Sequence, residues 1–176
     1  MKLSSRINDV IRTVPDFPKQ GIQFKDITPL LSDPVLCADI ADALIDPFKE
    51  KQIDIIAGVE SRGFIFGLMM AGRLNCGFTL IRKKGKLPAK TMESEYDLEY
   101  GSAVIEIHDD AIKPNQRVLL HDDLLATGGT AVAASKLVRM SQAKLVGYSF
   151  IIELGLLDGR KSLQPYSDNV VSLIKY

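Results

Sequence analysis

Short apolar runs alternate with amphipathic segments along most of this chain, and such alternation is typical of strands that alternate with helices. The predicted strands are residues 53–58 (IDIIAG), 78–82 (FTLIR), 117–120 (RVLL), 144–154 (KLVGYSFIIEL) and 169–174 (NVVSLI). The predicted helices follow Ser61 and Gly129, where small residues allow close packing. We therefore predict an α/β fold with a mostly parallel, twisted sheet that is flanked by helices.

The N-terminal part of the chain departs from this alternation. Ser4 or Ser5 can cap a short helix that stops at Pro15. Residues 16–31 are dense in Pro and Gly, which predicts an irregular surface segment. Asp33 and Pro34 then predict the start of a helix that runs to about residue 51, and Pro47 should kink or split it.

Composition limits the class of protein. The chain has 176 residues, 46% of them hydrophobic and 25% charged, and we expect a single domain over residues 1–176. A formal net charge of zero argues against a nucleic-acid partner. Cys37 and Cys76 form no CxxC motif, which favours a reducing compartment. No apolar stretch reaches membrane-spanning length and the N-terminus is too polar for a signal peptide, so a cytoplasmic location is expected.

The most informative stretch is residues 117–130, RVLLHDDLLATGGT. An apolar run ends in Asp122 and Asp123, and a Gly/Thr loop then leads into a helix. Glycines let the backbone approach a phosphate, while free N–H groups and the helix dipole attract it. The acids would accept hydrogen bonds from sugar hydroxyls or lie near a metal that a phosphorylated sugar brings. The alternative is an ordinary strand-to-helix turn with a threonine cap.

A second junction, Val59 to Gly63, places Arg62 at the start of a helix, where a guanidinium can bind phosphate oxygens in bidentate fashion. The alternative is a solvated arginine. Ligands of open parallel sheets bind beyond the carboxyl ends of the strands, so the loops after Gly58, Arg82 and Leu120 should meet there.

Three further features have both a functional and an ordinary interpretation. The basic stretch 82–90 predicts a lid that brings positive charge to a polyphosphate, or else a solvated face. The alternation that resumes around residues 96–107 predicts a hairpin about Gly101. Phe24 is either a stacking surface for a flat base or a core aromatic. His121 is either a proton carrier or a partly buried structural histidine, which we favour.

Together these motifs resemble the type I phosphoribosyltransferases. LLHDDLLATGGT resembles their phosphoribosyl-pyrophosphate motif. FPKQGIQFKDITPLL, ESRGFIFG, IRKKGKLPAKT and YDLEYG occur in the order that is seen in the adenine branch of the family, and the similarity covers residues 7–174. The resemblance implies the type I phosphoribosyltransferase fold with a small N-terminal hood, from a helix and base-binding segment over about residues 1–34. It also implies a flexible catalytic lid over about residues 83–100.

The resemblance also implies a role for each matching residue. The 5-phosphate would be bound by Ala126, Thr127, Gly128, Gly129 and Thr130, and the ribose hydroxyls by Asp122 and Asp123. The pyrophosphate would be bound by Glu60, Ser61, Arg62, Arg82, Lys83 and Lys86. Adenine would contact Gln23, Phe24, Lys25 and Leu124. The catalytic set would be Glu99, Tyr100, Asp122, Asp123 and Arg62.

The reaction implied is transfer of the 5-phosphoribosyl group from phosphoribosyl pyrophosphate to adenine, which gives AMP and pyrophosphate in purine salvage. Mg²⁺ is the implied cofactor, held mainly by substrate near Asp122 and Asp123, and a homodimer is the implied assembly. Transfer to another purine base and a non-catalytic regulator that senses phosphoribosyl pyrophosphate stay as alternatives. His121, Gln23 and Lys25 depart from residues that are common in the family, and Lys84 and Lys90 receive no role.

Overall fold

A seven-stranded sheet in this computed structural model carries helices on both faces, and a separate two-stranded sheet lies near the N-terminus. The structure describes residues 1–97 and 101–176. The strands are β1 (Arg12–Pro15), β2 (Gln23–Asp26), β3 (Ile55–Val59), β4 (Gly77–Lys83), β5 (Thr91–Asp97), β6 (Ser102–His108), β7 (Arg117–Leu125), β8 (Lys144–Glu153) and β9 (Val170–Lys175). The helices are α1 (Leu3–Val10), α2 (Pro34–Ile45), α3 (Gly63–Leu74), α4 (Gly129–Met140) and α5 (Gly159–Leu163), and short 3-10 helices cover Thr28–Ser32, Asp46–Lys51 and Gly155–Leu157.

The large sheet has the strand order β5-β6-β4-β3-β7-β8-β9. Strands β4, β3, β7, β8 and β9 are parallel, whereas β6 pairs with β4 and β5 in antiparallel fashion. The mostly parallel α/β sheet is therefore confirmed. The predicted hairpin is also confirmed, because β5 and β6 pair from Thr91 with His108 to Asp97 with Ser102. We call these two strands the β5–β6 arm.

Apolar side chains form one buried cluster on each face of the sheet. The first contains buried residues of α1, α2 and α3, such as Ile7, Ile40 and Phe66. The second contains residues of α4 and α5, such as Leu137 and Leu163. Burial on both faces explains why the central strands are continuous apolar runs rather than alternating ones. None of the helices in the described ranges has the length and apolar character needed to span a membrane.

The helix-start predictions had mixed outcomes. Asp33 accepts hydrogen bonds from the backbone N–H groups of Val35 (3.0 Å) and Leu36 (2.9 Å), so the predicted cap of α2 is confirmed. The split at Pro47 is confirmed as well, because α2 ends at Ile45 and a 3-10 helix follows. The predicted serine cap of the first helix is wrong, since α1 has Lys2 as its N-cap residue and no side chain bonds the cap. The predicted stop at Pro15 is also wrong, because α1 ends at Val10 and Pro15 is the last residue of β1.

The segment predicted to be irregular contains a strand. Residues Gln23–Asp26 form β2, which pairs antiparallel with β1 from Pro15 with Gln23 to Arg12 with Asp26. Each strand has only four residues, which is too short for a periodic pattern, and the paired residues are between 8 (Pro15 with Gln23) and 14 (Arg12 with Asp26) positions apart in the chain. The prolines and glycine that suggested irregular structure occupy mainly the connection between the strands.

Candidate active site

A cavity of about 390 Å³ lies beyond the carboxyl ends of β3, β4 and β7. Because parallel strands end at the same edge of the sheet, the three loops that follow them meet there, as the sequence predicted. The cavity is lined by Val59, Glu60, Ser61, Arg62, Lys83, Tyr96, Ile105, Asp122, Asp123, Leu124, Leu125, Ala126, Thr127, Gly128, Gly129, Thr130, Ala131 and Phe150.

Residues 126–130, which we call the phosphate loop, connect β7 to α4. Gly128 has a φ of +87°, a left-handed conformation that glycine adopts without the steric penalty of a side chain. The carbonyl of Gly128 accepts the N–H of Val132 at 2.9 Å and so begins the helix at Gly129. The first N–H groups of a helix have no partner within it, and the helix dipole adds partial positive charge at this end. This geometry is typical of loops that bind anions.

The acid pair lies within β7 and not after it, which corrects the predicted strand end at Leu120. The N–H of Asp123 donates to Oδ1 of Asp122 at 2.8 Å. Asp123 is only 4% exposed, and its Oδ2 accepts from Nε of Arg62 at 2.5 Å. Burial and the neighbouring negative charge of Asp123 raise the pKa of Asp122 well above its ordinary value. A proton is therefore bound more readily by this carboxyl group than by an exposed one.

Gly63 explains how Arg62 reaches the acid pair. A Cβ at Gly63 would lie 2.8 Å from the carbonyl oxygen of His121 and 3.2 Å from Oδ1 of Asp122. Only glycine lets the first turn of α3 pack directly on β7, and Arg62 immediately precedes it. The guanidinium of Arg62 thereby bridges Asp123 and the ring of Phe24, whose centroid is 5.0 Å from Cζ.

The carboxylate of Glu60 connects the loop of residues 59–63 to the basic stretch 82–90, which we call the basic loop. Oε2 of Glu60 accepts from Nε of Arg82 at 3.1 Å and from the N–H of Lys83 at 3.0 Å. The peptide bond between Glu60 and Ser61 is cis. Lys83 lines the cavity. Arg82 does not line it, but donates to Glu60, which does. The two predicted pyrophosphate loops are thus held as one unit.

The rest of the basic stretch is held by Glu106, a residue that sequence reasoning missed. Glu106 is 3% exposed, and Oε1 accepts from the N–H groups of Lys86 and Leu87, both at 2.9 Å. Oε2 accepts from Oγ1 of Thr91 at 3.3 Å. Burial raises the pKa of Glu106, but the hydrogen-bond donors outweigh it and leave the pKa below the ordinary value. Arg82 also donates through Nη1 to the carbonyl of Lys86 at 3.1 Å, so the peptide group between Lys86 and Leu87 is held at its carbonyl by Arg82 and at its N–H by Glu106.

Lys84 and Lys90, to which no role was given, do not line the cavity. Lys84 pairs with Glu93 at 2.7 Å and Lys90 with Asp109 at 2.9 Å. Both lysines are largely exposed, so these pairs contribute little stability. Of the predicted lid over residues 83–100, residues 91–97 form the regular strand β5. Mobility of the lid stays a prediction.

Three of the four predicted base-binding residues, Gln23, Phe24 and Lys25, do not line the cavity. Phe24 is half-buried and meets Phe17 edge-on at a centroid separation of 5.1 Å. Nζ of Lys25 lies 4.0 Å from the ring centroid of Tyr176, so this side chain is directed elsewhere. Gln23 is exposed. Leu124, predicted for the other face of the base, does line the cavity.

His121 is fully buried, and its Nδ1 lies 2.9 Å from the carbonyl oxygen of Ser149. Since a carbonyl oxygen only accepts, Nδ1 carries the proton. Burial lowers the pKa of His121 to about 4, so the ring is neutral at neutral pH. These observations support the structural interpretation over that of a proton carrier.

Several cavity residues were not found from the sequence. Tyr96 and Ile105 come from the β5–β6 arm, and Val59 and Phe150 come from the parallel strands. A Cβ on Gly129 would lie 3.5 Å from Cδ2 of Tyr96, so the arm packs over the phosphate loop. The alternation of β5 was the only signal for Tyr96. Glu99 and Tyr100, predicted to be catalytic, lie outside the described residues.

The acid pair is the candidate position for a divalent cation. Carboxylate oxygens are the ligands that Mg²⁺ prefers, and both aspartates line the cavity. Among residues 1–97 and 101–176, no group of three or more His, Cys, Asp or Glu side chains is arranged to hold a metal ion. The residues present fit an ion that takes two or fewer ligands from protein.

Comparison with known proteins agrees with this geometry. The model of the phosphoribosyl transferase domain matches residues 28–174. An adenine phosphoribosyltransferase of Cytophaga hutchinsonii is 50% identical over 174 residues, which are 99% of this chain and 96% of that protein. The crystal structure of adenine phosphoribosyltransferase from Rhodothermus marinus is 50% identical, with a TM-score of 0.94 and coverage of 99% of this chain and 98% of that one. The Saccharomyces cerevisiae enzyme, complexed with an imino-altritol bisphosphate and adenine, is 39% identical, with a TM-score of 0.91 and coverage of 98% of each chain.

Proposed function

The chain belongs to the phosphoribosyltransferase family, and from that premise we propose that it transfers the 5-phosphoribosyl group from phosphoribosyl pyrophosphate to adenine, with AMP and pyrophosphate as products. One observation carries the proposal. The phosphate loop, the acid pair and the loop of Ser61 and Arg62 line a single cavity of about 390 Å³. A sugar that is phosphorylated at two separated positions fits this cavity. One phosphate group would meet the helix start at the phosphate loop, the other would meet the cationic side chains, and the sugar hydroxyls would meet the carboxylates between them.

The phosphate loop binds the 5-phosphate in this proposal, through the N–H groups at the start of α4 and the hydroxyls of Thr127 and Thr130. Asp122 and Asp123 accept hydrogen bonds from the ribose hydroxyls. Both carboxylates line the same cavity as the phosphate loop, which supports this placement.

Ser61, Arg62 and Lys83 bind the pyrophosphate, with Arg82 and Lys86 beside them. Glu60 acts through Arg82 and the N–H of Lys83, because a carboxylate on the pyrophosphate itself would repel it. Cations placed where the leaving group gains negative charge stabilise the transition state more than the ground state.

The base lies between Phe24 and Leu124, and the backbones of Gln23 and Lys25 read its edge. Support comes from β2, which has one pairing partner in its two-stranded sheet and therefore presents outward-facing backbone groups on its other edge. The side chain of Lys25 is engaged by Tyr176 and Thr13, which is consistent with recognition by backbone atoms.

Mg²⁺, held mainly by substrate oxygens near Asp122 and Asp123, would neutralise charge on the leaving pyrophosphate. Arg62 and Lys83 orient that group while positive charge develops at C1 of the ribose. Adenine N9 attacks from the opposite side as the bond between C1 and the pyrophosphate oxygen breaks. Glu99 accepts the proton that the base loses near N7, and Tyr100 closes over the site with residues 83–100 as a lid. Closure keeps water away from the reacting carbon.

The proposal includes a homodimer in the cytoplasm. Ile65 and Leu68 lie one helical turn apart on α3 with 38% and 61% exposure, directly beyond Arg62. Leu80 of β4 is 37% exposed and shares a sheet face with Phe78, which packs on α3. An apolar surface of this kind next to a binding site supports a subunit contact. Both cysteines are free thiols, in keeping with a reducing compartment.

A direct assay tests the proposal. The protein is incubated with phosphoribosyl pyrophosphate and Mg²⁺, and with adenine, hypoxanthine, guanine or xanthine in parallel. We expect nucleotide formation from adenine, and loss of it in Asp123→Asn but not in Lys84→Ala, whose ion pair lies outside the cavity. Product from another base and not from adenine would favour transfer to a different purine. Binding of phosphoribosyl pyrophosphate without turnover of any base would favour a sensing regulator.

A further inference from the structure

The short helix α5 is in direct contact with the phosphate loop, although no motif in its sequence suggested a function. A Cβ on Gly159 would lie less than 3.0 Å from the carbonyl oxygen of Ala126, closer than real Cβ contacts come. The contact is also close from the side of the loop, because a Cβ on Gly128 would lie 2.8 Å from the carbonyl oxygen of Gly159. The two backbones therefore fit together only because both positions are glycine.

A hydrogen bond adds to this contact. Oγ of Ser162 donates to the carbonyl oxygen of Thr127 at 3.1 Å. Consecutive parts of the loop, at Ala126, Thr127 and Gly128, thus each have a partner on α5. The carbonyl oxygens of Ala126 and Thr127 therefore both lie against α5.

An ion pair holds α5 in this position. Arg160 donates to the buried carboxylate of Glu153 through Nη2 at 2.5 Å and Nε at 3.3 Å, and to the carbonyl of Val170 at 2.8 Å. The side chain of Glu153 is 5% exposed and also accepts from Ser172 at 2.7 Å. Glu153 is paired in register with Leu125, the last residue before the loop. The anchor of α5 and the start of the loop are therefore neighbours in the sheet.

We propose that Gly159 and Ser162 are positioning residues that set the conformation of the phosphate loop, and through it the affinity for the 5-phosphate of phosphoribosyl pyrophosphate and AMP. The inference rests on the proposed function for the identity of these ligands. Its physical basis is that an anion hole depends on several N–H donors at hydrogen-bond distance at once, so a displacement of well under 1 Å weakens all of them together.

The test compares two glycine substitutions. Gly159→Ala places a methyl group against the loop, whereas Gly72→Ala, on the surface of α3, has open space around it. In steady-state assays we expect the KM for phosphoribosyl pyrophosphate to rise at least about ten-fold in Gly159→Ala, with the KM for adenine and the kcat at saturation changed less than about two-fold. Gly72→Ala should match the parent protein in all three constants.

Ser162→Ala is a milder variant, because it removes one exposed hydrogen bond and introduces no steric clash. It therefore tests the contact in a protein whose fold is not under strain. It should raise the same KM about three- to ten-fold. Calorimetric titration with AMP gives a readout apart from catalysis, and the Kd should rise in parallel with that KM. The inference is overturned if both variants bind AMP as the parent does, or if the KM for adenine rises equally. Failure of the parent to bind AMP would instead overturn the proposed function.

Discussion

Replacement of Glu106 tests how the basic loop is held. Glu106→Leu removes the acceptor of the N–H groups of Lys86 and Leu87, both at 2.9 Å. A buried donor left without a partner costs about 1–3 kcal/mol, which gives about 2–6 kcal/mol for the pair. Lys86 is exposed and Leu87 partly so, hence water replaces some of the lost bonding and the lower end applies. We expect the free energy of unfolding to fall by about 2–3 kcal/mol.

Glu106→Gln keeps an acceptor oxygen and removes the charge. Because hydrogen bonds to a charged acceptor are about twice as strong as neutral ones, a loss of about 1 kcal/mol is expected for this variant. The lowered pKa of Glu106 fixes the sign of the pH dependence. Its charged form stabilises the fold above the ordinary pKa of 4.5, and this contribution disappears as the pH falls below that value. The difference between parent and Glu106→Gln should therefore shrink on acidification.

Urea unfolding measures these free energies. The consequence for the site is measured in the reverse of the proposed transfer, in which AMP and pyrophosphate are the substrates. Since the carbonyl of Lys86 also holds Arg82, Glu106→Leu should raise the KM for pyrophosphate about ten-fold while the KM for AMP stays within about two-fold. Glu93→Gln is the control, because Glu93 faces Glu106 across the strands but pairs with the exposed Lys84. Equal effects of the Glu106 and Glu93 substitutions on pyrophosphate would refute the reasoning.

Three further outcomes follow from the structure. Glu153 has a pKa lowered to about 2 from 4.5, mainly by hydrogen bonds from Arg160, and this difference corresponds to roughly 3 kcal/mol of stability above pH 4.5. Urea unfolding of Glu153→Gln should show this loss at pH 7 and much less of it as the pH falls toward 2; a loss that is independent of pH would contradict the assignment. Gly63→Ala should lower kcat/KM at least about ten-fold, because its Cβ would lie 2.8 Å from the carbonyl of His121, and unchanged kinetics would show that α3 can move away freely. Leu68→Asp should shift sedimentation velocity toward a monomer, whereas Val35→Asp, at similar exposure on α2, should not; a dimer that survives Leu68→Asp would place the subunit contact elsewhere.

The sequence predicted those parts of the fold whose signals are local. The cap at Asp33 and the break at Pro47 depend on side chains within a few residues of the helix ends. The buried strands are continuous apolar runs, and the loop of residues 126–130 follows one of them directly. The convergence of three loops followed from the parallel order of the strands.

What could not be predicted depends on pairs that are distant in the chain. Glu106 looks like an ordinary polar position on an alternating strand, and its role exists only because Lys86 lies 20 residues away on the facing loop. The contact of Gly159 with Ala126 likewise joins segments that no short motif connects. Even the engagement of Arg62 with Asp123 spans 61 residues, although both were selected separately.

The attachment of the β5–β6 arm has a consequence for how the molecule fluctuates. The two strands of the arm pair with each other over seven positions, from Thr91 with His108 to Asp97 with Ser102. The pairing of β6 with β4 covers two positions, Arg82 with Glu106 and Lys83 with Ile105, and one more backbone hydrogen bond runs from the N–H of Lys84 to the carbonyl of Val104. Segments with few connections to the core open at lower free energy than the molecule as a whole. Amide hydrogens of the arm should therefore exchange with solvent by a partial opening that leaves β3, β7 and β8 protected, and limited proteolysis should cut there first.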